Sequence, residues 1–434
     1  MKTIQIGLLG FGTVGGGTVK ILQQNLAEIQ RRLGVKIAIK MIAVRDLTKP
    51  RAVEIEGITL TDQPEQLVTH PEIDMVVELM GGTHLAKQLL EEAIDQGKHI
   101  VTANKALIAE QGNALFARAA EKGVHIFYEA AVAGGIPVIK ALREGLAANR
   151  IEWLAGIING TGNYILTEMK KPGADFASVL KTAQDLGYAE SDPTFDIEGI
   201  DAAHKLTILA SIAFGIPLQF EKVYTEGIQN ITAEDIQFAE QMGYQIKHLG
   251  VASRTEQGFS LRVHPTLVAN EVLLANVNGV MNAVMTYGDP VGTTLYYGPG
   301  AGAGPTASAV VADIIDAIRA MCSERPVAPL GYQQLDAQAE VVDIQTVSSE
   351  FYLRFFTKDH AGVLAKVTAI LAQYGVSIEK LHQEPCQTQP EDATLVMLTD
   401  CVQEASMQKA IEALQHLPEV DGKVLAIRVG AFEV

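Results

Sequence analysis

The chain opens on Ile4-Gln5-Ile6-Gly7-Leu8-Leu9-Gly10-Phe11-Gly12-Thr13-Val14-Gly15, an apolar run that breaks into glycines and continues into a helix-forming segment, Thr18 to Leu33. Gly10, Gly12 and Gly15 stand in the G-x-G-x-x-G spacing. There the first glycine turns the chain off a strand and the second lets backbone approach a pyrophosphate. The third lets a helix pack close to the sheet, with its N-terminal amides facing the anion. The bare pattern is weak. Following a strand and opening a helix supplies the context it requires. The stretch predicts a parallel, Rossmann-type sheet holding a dinucleotide along Gly10, Phe11, Gly12, Thr13, Val14 and Gly15. The competing reading is a strand-to-helix turn that binds nothing.

Residues 1–130 continue as strand and helix in alternation. Strands are expected over Val35 to Val44, Asp74 to Met80, His99 to Thr102 and Val124 to Tyr128, with helices over Leu85 to Gln96 and Leu107 to Lys122. Thr83 is expected as the N-cap of the first of these helices. Strands joined by helices of this length build a parallel sheet whose ligand lies off the strand C-termini. Gly10–Gly15, Arg45, Gly81–Thr83 and Asn104-Lys105 all follow strand ends and should meet on one edge. An acidic residue after the second strand would suit a ribose 2′-hydroxyl. Arg45 suits a 2′-phosphate and leans toward NADP over NAD. Asp46 beside it blurs the choice, and a solvated strand-end charge is the alternative.

After Glu129 the pattern changes. Ala130 to Pro137 is small and flexible, with a helix expected to follow to Ala148. Strands at 151–159, near Val263 and between Leu273 and Tyr287, with helices at 161–170, 176–186 and 199–214, read as an α+β unit over 131–322. The glycine-rich loop Gly298 to Gly304 leads into a helix, Thr306 to Arg319, and either returns the chain to the nucleotide or only caps that helix. A polar linker spans 323–347. From 348 to 434 the order βαββαβ is that of a ferredoxin-like split βαβ module. The fold class is therefore α/β at the N-terminus, α+β in the middle and ferredoxin-like at the C-terminus.

The richest polar stretch runs from Gly187 to Lys205 and contains Glu190, Asp192, Asp196, Asp201 and Lys205. Its first part is a loop, since Gly, Ser and Asp-Pro break any period. Its second part starts a helix on which Asp201 and Lys205, four apart, share a face. That helix turns apolar at Leu206, Ile208, Leu209 and Ile212. An ordinary i,i+4 ion pair and a buried functional pair are both open on this stretch alone.

Taken together, Gly10–Gly15, Thr102-Ala103-Asn104-Lys105, Glu129 through Pro137 and Gly187 through Lys205 resemble the homoserine dehydrogenases that carry a C-terminal ACT domain. The resemblance covers nearly the whole chain. It implies NAD(P)-dependent interconversion of homoserine and aspartate 4-semialdehyde, on the route to threonine, methionine and isoleucine. It implies that Lys205 transfers the proton at the reacting oxygen and that Lys105 stands near nicotinamide and substrate. Glu190 and Asp201, with Gly187 and Asp196 of the same stretch, would hold the substrate and its ammonium. Glu129, Val132, Gly134 and Ile136 match a monovalent-cation site, sodium by preference. Gly302 matches a glycine on the far side of the cofactor, and Thr83 joins the cofactor set. The ACT-like module implies an amino-acid effector, threonine, near Asp359, Gly362, Val363 and Leu364, with dimerisation without a ligand as the alternative. A homo-oligomer, dimer or tetramer, is expected.

Two other readings stay open: a nucleotide- and amino-acid-sensing regulator that turns nothing over, and a dehydrogenase of another small amino acid. Composition narrows the rest. With 34 Lys+Arg against 51 Asp+Glu, the net charge of −17 disfavours a nucleic-acid partner. Three scattered cysteines, Cys322, Cys386 and Cys401, fit no metal spacing and point to a reducing, cytoplasmic setting. The longest apolar run, Leu206 to Leu218, is too short to span a bilayer.

Overall fold

The computed structural model describes residues 3–51, 53–323, 327–386 and 391–432. Parts of the expected linker (324–326) and C-terminal module (387–390 and 433–434) lie outside them. The chain forms two compact units. The first gathers Met1–Leu154, Ala203–Glu221 and Met281–Ala339, and the second Ala155–Ala202, Lys222–Val280 and Glu340–Val434.

The first unit is built on a six-stranded parallel sheet. Its spatial order is Thr59–Thr61, Lys36–Ala43, Thr3–Leu9, Met75–Glu78, His99–Thr102, Ile126–Phe127. Chain order reverses at Thr3–Leu9, which makes its C-terminal end the crevice where such sheets bind ligands. Ile4, Ile6, Leu8, Met75, Val77 and Val101 are buried in one core, and Leu9, Val76 and Ile100 at the alternate positions are buried too, as a sheet covered on both faces requires.

The opening helix is Thr13–Leu33, five residues longer at its start than expected. Gly15, Gly16 and Gly17 are poor helix formers and obscured that start. Packing overrides propensity here. A Cβ on Gly17 would sit 2.6 Å from the Ala303 carbonyl oxygen, so the glycine lets the helix Ala303–Ser323 lie directly against Thr13–Leu33. Val310, Ile314 and Ile318 of that second helix share the core of the parallel sheet. The helix expected to run to Ala148 is instead a short α-turn, Val138–Lys140, continued by a π-turn, Ala141–Gly145. A hairpin, Met281–Asp289 with Gly292–Pro299, completes the unit; part of the stretch read as strand, Leu273–Asn276, is a 3₁₀ turn of the second unit.

The second unit holds the helices Gly160–Glu168, Phe176–Asp185 and Ala233–Gln241, and a long antiparallel hairpin, Tyr244–Thr255 with Gly258–Ala269. Buried Lys247 and His248 interrupt the apolar alternation of its first strand, which hid it in the sequence. The C-terminal strands Ser348–Lys358, Ile378–Pro385, Asp392–Thr399 and Val420–Val429, with the helices Val363–Gln373 and Glu404–Gln415, form the βαββαβ arrangement. Their antiparallel order is fourth, first, third, second.

This C-terminal sheet buries both faces. Phe351, Leu353 and Phe355 pack under its own helices with Val367, Leu371 and Met407. Tyr352, Val396, Leu398 and Ile427, on the opposite face by strand alternation, share a core with Ile165, Ile236 and Leu267. Val420–Val429 also pairs in parallel with Gly258–Ala269 through Arg428 and Val429.

Candidate active site

The glycine motif forms a cradle at the switch point. Gly10 takes φ +98°, and a Cβ there would sit 2.7 Å from the Leu79 carbonyl oxygen; a Cβ on Gly15 would meet the Gly10 carbonyl at 2.4 Å. Gly12 is the N-cap of Thr13–Leu33 with no side-chain cap bond, and the first turn carries no acid. Orphan amides at a helix start with no competing carboxylate make an anion site. A Cβ on Gly12 would meet nothing, so the space before that helix is open. These residues fit a dinucleotide pyrophosphate.

Beside the cradle lies a cleft of about 340 Å³, walled by Val14, Gly81, Asn104, Lys105, Ala133, Gly134, Lys205, Gly300 and Ala301 among others. Three of the four strand-end segments thus meet as the topology required. Lys105 and Lys205, far apart in sequence, face one cavity. Arg45 is exposed just past Lys36–Ala43, and neither it nor Thr83 lines the cleft. Thr83 occupies the N-cap position of His84–Asp95 without a side-chain cap bond. Gly302 takes φ +123° beside the lining residues Gly300 and Ala301.

Sequence reasoning missed what organises this rim. Glu78, fully buried at a strand end, accepts amides from Met80 (2.8 Å) and Gly81 (3.2 Å) on one oxygen and the Thr102 hydroxyl (2.6 Å) on the other. Thr102 Oγ1 accepts the Asn104 amide, and the Asn104 side chain donates to the Gly82 carbonyl (2.7 Å) while capping Leu107. Two strand ends and the first turn of Lys105–Lys122 are therefore locked together, and Lys105 is that helix's first residue. A charged residue in an apolar strand, such as Glu78, was the available signal.

The small-residue turn does its work by close approach. Ala133 takes φ +51°, a Cβ on Gly134 would meet the Gly300 carbonyl at 2.6 Å, and the Gly135 amide donates to the Pro299 carbonyl (3.0 Å). Glu129 is buried at its start. Each carboxylate oxygen accepts one backbone amide, from Ile139 (2.9 Å) and Lys140 (2.8 Å), and its own N–H donates to Asp313 (2.7 Å). Burial pushes the Glu129 carboxyl up to about 7 against those amides, and burial pushes Asp313 well above the usual carboxylate range. Among the described residues no group of three or more His, Cys, Asp or Glu could hold a metal ion.

In the second unit the acidic stretch folds around Asn159. Its Nδ2 donates to Asp196 (2.7 Å) and to Asp201 (2.8 Å), and its Oδ1 caps Gly160–Glu168 at Gly162. Asp201 is buried in the first turn of Ile200–Phe214, where a carboxylate suits the helix dipole. The same helix carries Lys205 one turn on. The segment read as loop contains a short helix, Thr194–Ile197. Gly187 and Glu190 are exposed, and the Gln184 amide holds the Glu190 carbonyl (3.1 Å). The loop before Val363–Gln373 is exposed from Asp359 to Gly362; Gly362 takes φ +95° at that helix's N-cap, and Asp359 accepts from Gln383 (3.3 Å).

Comparison with known proteins matches these parts. A family model for the homoserine dehydrogenase NAD-binding domain covers residues 10–129, one for homoserine dehydrogenase 137–315, and one for the ACT domain 351–419. The chain is 56% identical to a homoserine dehydrogenase of Pseudomonas aeruginosa over 99% of both chains. It is 40% identical to one of Bacillus subtilis, over 97% and 96%. A crystal structure of a homoserine dehydrogenase from Thiobacillus denitrificans superposes with TM-score 0.94 at 53% identity, covering 99% of each chain. A hyperthermophilic archaeal homoserine dehydrogenase in complex with NADPH superposes with TM-score 0.62 at 28% identity, over 75% of this chain and 99% of that one. The chain therefore belongs to the homoserine dehydrogenases, oxidoreductases that act on an alcohol group, in the form with a C-terminal ACT domain.

Proposed function

We propose that the lysine-lined cleft is where homoserine and aspartate 4-semialdehyde are interconverted, with Lys205 managing the proton. The supporting observation is that Lys105 and Lys205 wall the cavity that also holds Val14 of the glycine motif. A bound dinucleotide would supply the hydride chemistry, as acceptor in oxidation and donor in reduction. As the alcohol loses hydride, Lys205 takes the proton from its oxygen; in reduction it returns that proton and stabilises the developing oxyanion. Lys105, rigid at its helix start, adds positive charge at the same oxygen. Asp201 and Glu190 hold the substrate ammonium, Asp196 and Gly187 shape that end, and Asn159 keeps the two aspartates apart but aligned.

NADP is the preferred cofactor in this reading, with Arg45 against the 2′-phosphate and Thr83 and Gly302 flanking the site. The NADPH complex of the archaeal relative supports it. A monovalent cation in this reading would draw on the Glu129 carboxylate and on carbonyl oxygens of the turn at Val132, Gly134 and Ile136. Hard cations suit such oxygens. The ACT module reads threonine near Asp359, Gly362, Val363 and Leu364, as feedback on its own pathway, in a cytoplasmic homo-oligomer. Among the described residues no helix is long and apolar enough to cross a membrane. Homoserine with NADP or NAD should generate reduced-nicotinamide absorbance. No signal with either cofactor across mildly alkaline pH would overturn the assignment.

A further inference from the structure

The helices Gly160–Glu168 and Ile200–Phe214 start beside each other, joined by the hydrogen bond from Asn159 to Asp201 (2.8 Å). One buried side chain, His248, lies against both starts. It stands opposite Pro265 in the hairpin, with Gly250 opposite Val263, so strand alternation puts His248 and Val263 on one face. Gly199, the residue before Ile200–Phe214, takes φ +86° against that face. A Cβ there would sit 2.8 Å from Val263 Cγ1 and 3.1 Å from His248 Cε1. A Cβ on Gly162, in the first turn of the other helix, would lie 3.6 Å from His248 Nδ1.

The ring is held by one directed bond. The Glu226 backbone carbonyl can only accept, so its 2.9 Å contact with Nε2 puts the imidazole proton there. Burial holds His248 below its ordinary range and therefore neutral. Nδ1 is then an acceptor, buried and without a partner among the described residues. The backbone that Nε2 grips is itself fixed. The Glu226 amide donates to the Val263 carbonyl (2.8 Å), and the Ile228 amide donates to the Ile197 carbonyl (2.9 Å). His248 thus reaches the turn Ile197–Gly199 twice, directly at Gly199 and through Glu226–Ile228 at Ile197. Asp196 precedes that turn and Asp201 follows it. A leucine at 248 would occupy similar space but supply no donor to the Glu226 carbonyl.

We infer that His248 is a positioning residue for the ammonium end of the substrate: its bond to the Glu226 carbonyl holds the turn Ile197–Gly199 where Asp201 can meet both Asn159 and the substrate cation. The role is indirect. His248 is buried under the turn and acts on the substrate only through the placement of Asp201. The inference rests on the reading that the acidic stretch holds homoserine.

Two amide variants that differ by one methylene separate the bond from the bulk. A glutamine can bring its amide nitrogen to the place of His248 Nε2, and an asparagine is too short to do so. His248→Asn should raise the KM for homoserine about tenfold, the scale of one lost neutral hydrogen bond, with the KM for the dinucleotide unchanged. His248→Gln should keep the wild-type values. 4-Hydroxybutyrate, which is homoserine without its ammonium, should inhibit wild type and both variants with the same competitive constant. Equal KM values in the two variants, a dinucleotide KM that rises in step, or weakened 4-hydroxybutyrate inhibition in His248→Asn would overturn the positioning role. Asp201→Asn tests the underlying reading separately. It should raise the KM for homoserine at least as much as His248→Asn does and leave 4-hydroxybutyrate inhibition alone; an unchanged KM in Asp201→Asn would overturn the acidic cradle itself.

Discussion

His204 Nε2 and Glu110 Oε1 lie 3.0 Å apart, joining the helix that carries Lys205 to the helix that starts at Lys105. The His204 ring is also stacked on Phe220, centroids 4.1 Å apart, so it has little freedom to follow a displaced partner. The pair ties together the two helices that carry the lysines. Glu110→Ala should lower kcat for homoserine oxidation about tenfold, a barrier change of ~1.4 kcal/mol. Glu110→Gln, which keeps an acceptor, should retain most of it. Equal losses in both variants, or an unchanged kcat in Glu110→Ala, would show that the pair positions nothing.

Lys205→Ala removes the proposed proton carrier but none of the glycine cradle. Turnover should fall by about 10² to 10⁴, the usual scale for a positioned acid–base group. NADP affinity, read by fluorescence titration, should stay within about twofold. A collapse of cofactor affinity would make Lys205 a cofactor ligand instead.

Asn159 Nδ2 donates to both Asp196 and Asp201. Asn159→Ala would leave two carboxylates facing each other with no amide between them, one of them buried. The aspartates should turn away or take up protons, and the ammonium would lose its cradle. The KM for homoserine should rise tenfold or more with the dinucleotide KM unchanged. Parallel rises in both constants would mean a general loss of structure.

The sequence showed the candidate site residues more readily than their supports. The glycine spacing, the strand ends and the acidic stretch were visible because each depends on local pattern. Glu78, Asn159 and Glu110 were not, because what they do is set by partners 24, 42 and 94 residues away. The start of the first helix was misplaced for a related reason: Gly17 looks like a helix breaker until Ala303 is seen against it. Strand Tyr244–Thr255 was lost because Lys247 and His248 look like solvent-facing residues, and both are buried.

Lys247 gives a pH test of that burial. Its ammonium reaches the Val277 carbonyl (2.6 Å) and Asn278 (3.0 Å) with no ion pair to a carboxylate among the described residues, and burial lowers it to about 7, with Lys170 adding repulsion. Between pH 7 and the ordinary lysine range, the unfolded chain holds a proton that the folded chain has released. The unfolded state binds more protons, so this residue's contribution to stability rises with pH across that window and is lowest below pH 7. Wild type should gain on the order of 1–2 kcal/mol relative to Lys247→Met between pH 7 and pH 9. Parallel melting-temperature curves for the two proteins over that range would show that the amine stays charged.

The C-terminal module is built into the second unit. Removing residues 348–434 would uncover Ile165, Ile236 and Leu267, which pack against Tyr352, Val396, Leu398 and Ile427, and would take Arg354 and Tyr352 away from Asp235. In the full chain, stripping the buried Arg354–Asp235 pair of one member costs ~3–5 kcal/mol. The shortened chain should melt well below the full one or fail to fold, before any effect on regulation can be read. Arg354→Met with Asp235→Leu in the full chain should be tolerated far better than Arg354→Met alone, since the double variant leaves no lone charge. A truncated chain with the full chain's melting temperature and kcat would show that the shared core contributes little.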